Sequence, residues 1–141
     1  ADAGAEIALT WQGDALKKRV EPLAQELGAF MAGHCDVTDL ETIDAVFAGL
    51  EKHWGKIDFV VHAIAFSDKD ELTGRYLDTS RDNFNRTMDI SVFSLAAVAK
   101  RAEPNTAGIA ASVMKAERKP PTPNRSGRYL ATATGSWLAA P

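Results

Sequence analysis

The sequence is poor in cysteine and in aromatic residues. Its 141 residues include one cysteine, Cys35, and only 8% Phe, Trp and Tyr. A single cysteine excludes an intramolecular disulfide and any multi-cysteine metal site, and it favours a reducing cytoplasm as the compartment. No run of about 18 apolar residues is present, so no transmembrane helix is predicted. The first residues contain neither a basic segment nor an apolar one, and we therefore expect no signal peptide.

Basic residues are scarce through most of the chain. Residues 1–103 hold 11 Lys and Arg against 18 Asp and Glu, whereas residues 104–141 hold 5 against 1 and contain five of the six prolines. This change in composition predicts a boundary near Pro104. The acidic body argues against a nucleic-acid partner. A hydrophobic content of 45% is typical of a globular domain.

Apolar runs alternate with amphipathic helical patterns through residues 1–103. Strands are predicted at 6–11, 29–35 and 57–66, and each is followed by a helix. This alternation predicts an α/β fold with βαβ units around a parallel sheet. The third strand is almost continuously apolar, so we expect it to be covered on both faces. Ligands of such sheets bind beyond the carboxyl ends of the strands.

Local signals refine the three helices. Pro22 is expected to kink or divide the first helix. Thr38 and Glu41 fit a capping box at the start of the second, and Asp39 is the alternative cap. Ser80 is predicted to cap the third helix, which continues to about residue 101. Five apolar residues recur on one face of that helix and are expected to be buried: Phe84, Met88, Val92, Leu95 and Val98.

Beyond Pro104 the strand and helix patterns weaken. Residues 109–114 fit a weak strand, and residues 115–128 are charged and rich in proline, which predicts a loop or disorder. The sequence thus divides into a globular unit over 1–103 and a divergent, poorly ordered tail over 104–141.

Few side chains have the spacing that catalysis or metal binding requires. We interpret His62 as a buried, hydrogen-bonded histidine rather than a catalyst, because no activated Ser or Cys accompanies it. His34 and His53 lack partners at ligand spacing, so no metal site is predicted. The carboxylates at 68–71 fit either an acid–base pair or, more simply, a solvated loop.

Two predicted strand ends have features that allow ligand binding. Asp36 directly follows a strand, where it can accept a hydrogen bond from an adenine amino group or merely belong to the cap of the next helix. Residues 63–65 are small or apolar, which allows either a flat ligand or a tightly packed helix to approach the backbone. Both alternatives remain open at both places.

Six segments form a recognisable set when they are taken together. They are residues 11–20 (WQGDALKKRV), 34–37 (HCDV), 54–58 (WGKID), 61–66 (VHAIAF), 68–76 (DKDELTGRY) and 89–91 (DIS). As a set they resemble bacterial enoyl-acyl-carrier-protein reductases, which are NADH-dependent members of the short-chain dehydrogenase/reductase superfamily. The resemblance covers about residues 3–103 in unbroken order. It implies part of a doubly wound parallel Rossmann sheet with flanking helices, without the family's first strand.

The resemblance also implies contacts with the cofactor NAD. Seven positions match them: Gln12, Asp36, Val37, Ala63, Ile64, Ala65 and Ile90. Asp36 and Val37 match the pair that receives the adenine, and Ile90 matches a residue beside the adenine and its ribose. Gln12 matches a position near the adenosine, and residues 63–65 match the strand end on the nicotinamide-ribose side.

Two parts that the family uses are not found in the sequence. The family's first strand and its Gly-rich phosphate turn would precede residue 1. The family also requires a Tyr followed seven positions later by a Lys. Tyr129 is followed at that spacing by Ser136, and a weaker match places Arg125 and Thr132 at the two positions. We therefore assign no catalytic residue.

Three functions remain open. The first is an NADH-dependent enoyl-acyl-carrier-protein reductase of fatty acid biosynthesis, which reduces trans-2-enoyl thioesters and is inactive as this chain alone. The second is a non-catalytic binding or oligomerisation module, because the helix that begins at Ser80 belongs to a tetramer interface in the family. The third, another short-chain reductase, is disfavoured by Gln12 and the 68–76 loop. An acyl-carrier-protein thioester, a homo-oligomer and a cytoplasmic location are expected, without a membrane or nucleic-acid partner.

Overall fold

A four-stranded parallel sheet forms the centre of the structure, a computed structural model that describes residues 3–106 and the backbone of residues 128–134. The strands are β1 (Glu6–Trp11), β2 (Phe30–His34), β3 (Phe59–Ile64) and β4 (Arg128–Thr134). Their order across the sheet is β2-β1-β4-β3, and all the pairings are parallel. The predicted α/β class is confirmed.

Helices connect the strands in the predicted order. They are α1 (Gly13–Leu27), α2 (Leu40–Trp54), α3 (Arg81–Met88) and α4 (Ser94–Ala102), with a π-helical turn at Asp89–Phe93 that joins α3 to α4. Short 3-10 turns lie at Lys69–Glu71, Tyr76–Asp78 and Glu103–Asn105. The connection from β1 to β2 runs in the opposite direction to the one from β2 to β3. Because such crossovers are right-handed, α1 and α2 lie on opposite faces of the sheet.

The hydrophobic core lies between one face of the sheet and helices α2 and α4. Ala8 of β1 and Val60 of β3 are almost fully buried there. The helices contribute seven buried apolar residues: Ile43, Val46, Phe47, Leu50, Ala97, Val98 and Ala102. The other face is less covered, since Ala24 is the one residue of α1 that is buried.

Strand β3 does not have two equally covered faces. Val60, His62 and Ile64 are buried, whereas Val61 is half-buried and Ala63 is exposed. The expectation of burial on both faces is therefore wrong, because the buried residues of β3 alternate along the strand and belong to the face that packs against the core.

Of the two caps predicted for α2, the structure has the second, Asp39. Asp39 caps α2, and its side chain accepts a hydrogen bond from the Glu41 N–H at 3.0 Å, so the capping box with Thr38 does not form. Helix α1 continues through Pro22 without being divided. Ser80 caps α3 as predicted and accepts a hydrogen bond from the Asn83 N–H.

The third predicted helix presents a different face to the core. Phe84, Met88 and Val92 are 41–53% exposed, whereas Val98 of the same predicted stripe is buried. Asn83 and Ser94 are buried instead. The reason is the π-helical turn, which adds a residue to one helical turn and so breaks the regular 3–4 spacing on which the prediction depended.

Strand β4 was not anticipated from the sequence. It lies within the range 104–141, for which a poorly ordered tail was predicted, and at residues 128–134 the structure has a strand instead. The predicted weak strand at 109–114 lies outside the described residues.

Candidate functional site

The carboxyl ends of the parallel strands bring the predicted cofactor positions to one edge of the sheet. Gln12 directly follows β1, Asp36 follows β2 by two residues, and Ala63 and Ile64 end β3. The Cys35 N–H donates to the Trp11 carbonyl at 2.7 Å, so β1 and β2 remain paired up to the two loops. The fold therefore assembles the edge that the strand pattern predicted.

The Asp36 carboxylate is the most constrained polar group at this edge. Its Oδ2 accepts a hydrogen bond from Gln12 Nε2 at 3.0 Å, and its Oδ1 accepts from the Thr38 N–H at 2.9 Å and from Thr38 Oγ1 at 2.7 Å. Partial burial opposes ionisation, but these hydrogen bonds outweigh it and lower the pKa of Asp36 below its usual 3.8. Asp36 is thus a charged acceptor at neutral pH, and its Oδ2 can accept one further hydrogen bond.

The backbone of the same loop is fixed by Thr42. Its hydroxyl accepts from the Asp36 N–H at 2.9 Å and lies 2.8 Å from the Asp36 carbonyl. On either side, Cys35 and Val37 are buried in the core. Burial, followed by the charge of Asp36, raises the pKa of the Cys35 thiol to about 11, so this thiol stays protonated and inert at neutral pH.

At the end of β3, exposed alanines alternate with buried side chains. Ala63 and Ala65 are exposed, whereas Ile64 is buried in the core. His62 is 4% exposed and lies 2.8 Å from Ser94 Oγ through its Nε2. Burial lowers the pKa of His62, which keeps the ring neutral. The interpretation of His62 as a buried, hydrogen-bonded histidine is confirmed.

The π-helical turn holds the chain where it leaves β3. Ser91 Oγ accepts a hydrogen bond from the Phe66 N–H at 3.0 Å and donates to the Phe66 carbonyl at 3.2 Å. Ile90, which precedes Ser91, packs against the core. Ile90 precedes Ser91 and Ala65 precedes Phe66, so both predicted positions are next to the two hydrogen bonds between Ser91 and Phe66.

A buried asparagine organises the loop that follows, and sequence reasoning missed it. Asn83 is 3% exposed. Its Oδ1 accepts from the Asp68 N–H at 2.8 Å, and its Nδ2 donates to Ser67 Oγ at 3.2 Å and to Glu71 Oε2 at 3.1 Å. A polar residue three positions after the Ser80 cap was the available signal, but it did not distinguish a buried asparagine from an exposed one.

Two of the carboxylates at 68–71 form hydrogen bonds or ion pairs that attach this loop to α3 and its cap. Glu71 accepts from both the N–H and the hydroxyl of Ser80, at 2.8 and 2.7 Å, and these hydrogen bonds lower the pKa of Glu71. Asp68 pairs with Arg86 at 2.9 Å. Because Glu71 and Asp68 are both engaged with neighbouring residues of the chain, a role in stabilising the loop is favoured over an acid–base pair.

Tyr129 lies far from this edge. It is the second residue of β4, and its backbone is in register with Ile7 and Phe59, near the amino ends of their strands. Thr134 at the carboxyl end lies five positions further along the strand, a distance of about 16 Å. Tyr129 is therefore not placed among the cofactor positions. Arg125 and Ser136 lie outside the described residues.

The described part of the chain contains neither a metal-binding cluster nor a membrane-spanning helix. No three or more His, Cys, Asp or Glu side chains converge there as a metal site requires. No helix of residues 3–106 has the length and hydropathy needed to cross a membrane.

Comparison with known proteins gives a consistent set of relatives. The profile of a family described as enoyl-(acyl carrier protein) reductase matches residues 1–118. The NADH enoyl-acyl-carrier-protein reductase 1 of Rhizobium meliloti is 88% identical over 103 residues, which are 73% of this chain and 38% of the relative. Reductase 2 of the same organism is 59% identical over 99 residues, 70% of this chain and 37% of the relative.

Solved structures agree with the sequence relatives. The enoyl-acyl-carrier-protein reductase of Anaplasma phagocytophilum in complex with NAD is 49% identical, with a TM-score of 0.70 over 77% of this chain and 43% of that one. The NADH-dependent enzyme of Aquifex aeolicus is 38% identical, with a TM-score of 0.72 over 77% and 44%. The chain spans less than half the length of these relatives. A family profile that extends over most of the chain, together with these identities, shows that the chain belongs to the enoyl-(acyl carrier protein) reductase family.

Proposed function

We infer that this chain is part of an NADH-dependent enoyl-acyl-carrier-protein reductase of fatty acid biosynthesis and that it carries the adenosine side of the NADH site. The observation that carries this proposal is the Gln12–Asp36–Thr38 network at the carboxyl edge of the sheet. It holds an ionised acceptor, with one position still open on Oδ2, at the place where an adenine amino group would donate.

The residues around Asp36 fit an adenine and its ribose. The side chain of Val37 is buried in the core, which anchors the backbone beside the ring, and the half-buried side chain of Ile90 supplies an apolar surface. Ala63 and Ala65 have no side-chain atom beyond the β-carbon, which lets a flat ring approach the backbone of β3. These residues bind and orient the cofactor.

NADH, held on its adenosine side by Asp36, Val37 and Ile90, would supply a hydride for the β-carbon of a trans-2-enoyl thioester on acyl carrier protein, and a proton would be needed at the α-carbon. The described residues contribute positioning to that reaction, and no proton donor is identified among them. His62 is neutral, buried and engaged with Ser94, and Tyr129 is about 16 Å from the carboxyl end of its strand. We therefore propose that the substrate-activating groups lie outside the described residues.

An NADH titration followed by two-dimensional NMR tests the proposal. We expect binding in the millimolar range, about −4 kcal/mol, with shifts at Gln12, Asp36, Val37 and Ile64. Asp36→Ala should abolish these shifts, whereas the exposed Asp82→Ala, which leaves this edge unchanged, should not. Shifts confined to residues 67–76 that spare Asp36 would show that the cofactor assignment is wrong.

A second role, as an oligomerisation module, is favoured by one specific observation. Helix α3 and the π-helical turn expose Phe84, Met88, Val92 and Phe93, each 41–56% accessible. Apolar side chains on one helical surface favour association with another copy, and we propose a cytoplasmic homo-oligomer, tetrameric in the intact enzyme. Analytical ultracentrifugation should show association that Val92→Asp weakens; a monomer at all concentrations would contradict this role.

A further inference from the structure

Strand β4 connects the two parts of the sheet. It is parallel to β1 over residues 6–10 on one side and to β3 over Phe59–Ile64 on the other. Among the described residues, no ladder joins β1 directly to β3, because β4 lies between them. Neighbouring strands are about 4.8 Å apart, so without β4 the strands β1 and β3 would face each other across about 10 Å. We call this opening between them the strand slot.

An unfilled strand slot is an acceptor for an extended segment. Its two edges carry the backbone N–H and C=O groups of β1 and β3 that otherwise bond to β4, and such edges pair readily with another chain. Ala8 of β1 and Val60 of β3 belong to one hydrophobic core with α2 and α4, so these helices hold both edges in a single unit. The incoming strand is therefore bound from both sides, in a register that each edge specifies.

A long stretch of sequence separates β4 from the rest of this unit. The Ile57 N–H donates to the Asn105 carbonyl at 2.9 Å, and Thr106 forms a parallel bridge with Ile57. Tyr129 of β4 is in register two residues further along β3. Residues 107–127 therefore begin and end beside the amino end of β3, although 21 residues can reach up to about 70 Å. The covalent connection thus does not determine which copy's slot β4 enters.

The charge distribution favours contact between the C-terminal part of one copy and the body of another. Residues 1–103 hold 11 Lys and Arg against 18 Asp and Glu, whereas residues 104–141 hold 5 against 1. Opposite net charges attract over a Debye length of about 8 Å at physiological salt and steer the encounter of two chains. The basic part of the sequence includes β4, so this attraction brings the strand of one copy toward the acidic body of the other.

We propose that the strand slot also accepts β4 from a second copy, so that two chains form a dimer by exchanging their β4 strands. Each sheet of the dimer keeps its four parallel strands, and the partner donates the central one. The backbone hydrogen bonds are the same as in the single chain, which makes exchange a low-cost route to a dimer. The sheet that carries Gln12 and Asp36 is then completed by two copies. This inference concerns the sheet and does not depend on the cofactor assignment.

Isotope-filtered NMR of the full chain identifies which copy fills each slot. Equal amounts of 15N-labelled and 13C-labelled chain are unfolded in urea and refolded together at near-millimolar concentration, which by random pairing makes about half of the dimers mixed. NOEs from 15N-bound amide protons of residues 128–134 to 13C-bound α-protons of residues 6–10 and 59–64 arise only between copies. We expect these NOEs in the dimer. A dimer without them, or a chain that remains monomeric after this refolding, would overturn the proposal.

A substitution on the exposed apolar surface distinguishes exchange from association through that surface. Val92, in the π-helical turn, is 53% exposed and lies away from the slot-forming strands in the sequence. Val92→Asp should leave the NOEs between copies unchanged, because the slot and β4 are intact. Loss of both the dimer and these NOEs in Val92→Asp would show that the surface around Val92, and not the slot, holds the copies together.

Competition with a peptide tests the slot without any substitution in the chain. A peptide of residues 128–134, added in excess during refolding, should occupy the slot and abolish the dimer in analytical ultracentrifugation. The same peptide with Ala131→Pro is the matched control, because proline removes a backbone donor from the middle of the strand. It should leave the dimer fraction unchanged. Equal dimer fractions with the two peptides would contradict the exchange of β4.

Discussion

At the scale of single residues, Asp36 combines a structural role with the proposed cofactor role. Its carboxylate organises the turn between β2 and α2 through Thr38 and fixes the side chain of Gln12. The same hydrogen bonds keep it ionised, as an acceptor for a donor on the ligand must be. Asp36 could be recognised in the sequence from its residue type and its position after a strand. Its hydrogen bond with Gln12, which is 24 residues away, could not be predicted from the sequence.

We expect Asp36→Asn to lower the free energy of unfolding by about 1 kcal/mol at pH 6, through loss of charge-assisted hydrogen bonds at a partly exposed site. The pKa of Asp36 is lowered in the folded state, so its stabilisation is present above pH 3.8 and is lost as the pH falls through the folded-state value. The unfolding free energies of Asp36→Asn and of the parent chain, measured with urea, should therefore converge as the pH falls below 3.8. A difference that is constant with pH would contradict this origin.

His62 should make stability depend on pH in a second, higher range. Burial lowers its pKa below the usual 6.5, so the unfolded chain binds a proton more readily than the folded one. The stabilisation is complete above pH 6.5 and is lost as the pH falls toward the folded-state pKa, by up to about 1.4 kcal/mol per pH unit.

Urea unfolding between pH 7.5 and pH 5.5 checks this expectation. His62→Gln, which retains a donor for Ser94, should flatten the decline, whereas the exposed His34→Gln should keep it. An unchanged slope in His62→Gln would show that another group is responsible.

At the scale of secondary structure, the sequence predicted the order and type of the elements in residues 1–103 but not the orientation of the last helix. Strand and helix periodicity are local properties, and they suffice for β1 to α2. The face of the third helix depended on the π-helical turn at Asp89–Phe93, and a hydrophobic stripe contains no signal for that extra residue. Asn83 and Ser94 face inward because each forms a hydrogen bond there, Asn83 with the Asp68 N–H and Ser94 with the His62 ring.

Asn83→Ala should loosen the loop at 67–71 while the sheet remains folded. The substitution removes the acceptor of the Asp68 N–H and the donors to Ser67 and Glu71, at a cost of about 2–3 kcal/mol. Hydrogen exchange of the Asp68 amide should accelerate before that of β1 and β3. Asn85→Ala, on the exposed side of the same helix, is the control and should change stability by less than about 0.5 kcal/mol. Equal effects of the two substitutions would contradict the role of Asn83.

At the scale of the whole molecule, the sheet depends on a strand from the end of the chain. β4 separates β1 from β3, so a contact between residues about 70 or 120 positions apart in the sequence closes the fold. Neither its small residues nor its neighbourhood of prolines distinguished it from a loop in the sequence. Whether a segment enters a sheet depends on the vacant position that the other strands offer, which no local pattern reveals.

Ala131→Pro should therefore destabilise the whole sheet. Position 131 is paired with Leu9 on one side and Val61 on the other, and proline removes a ladder hydrogen bond from a central strand, at about 3 kcal/mol or more. Circular dichroism during thermal unfolding should show a large fall in the transition temperature. Ala131→Val keeps the N–H and a strand-forming side chain and should be tolerated. If the proline variant unfolds like the parent chain, β4 is not part of the cooperative unit.

The described residues hold the proposed cofactor edge, and none of their side chains at that edge is placed to activate a substrate. Their polar side chains near that edge are engaged in fixing loops, as with Ser91 on Phe66 and Asn83 on Asp68, and Tyr129 is remote from it. We therefore expect no measurable oxidation of NADH with a crotonyl thioester, because the loss of a catalytic acid alone lowers the rate about 10²–10⁴-fold. A spectrophotometric assay beside a full-length relative measures this. Turnover close to that of the relative would show that a proton donor exists in this chain, and the search for it would begin at His62 and the loop at 67–71.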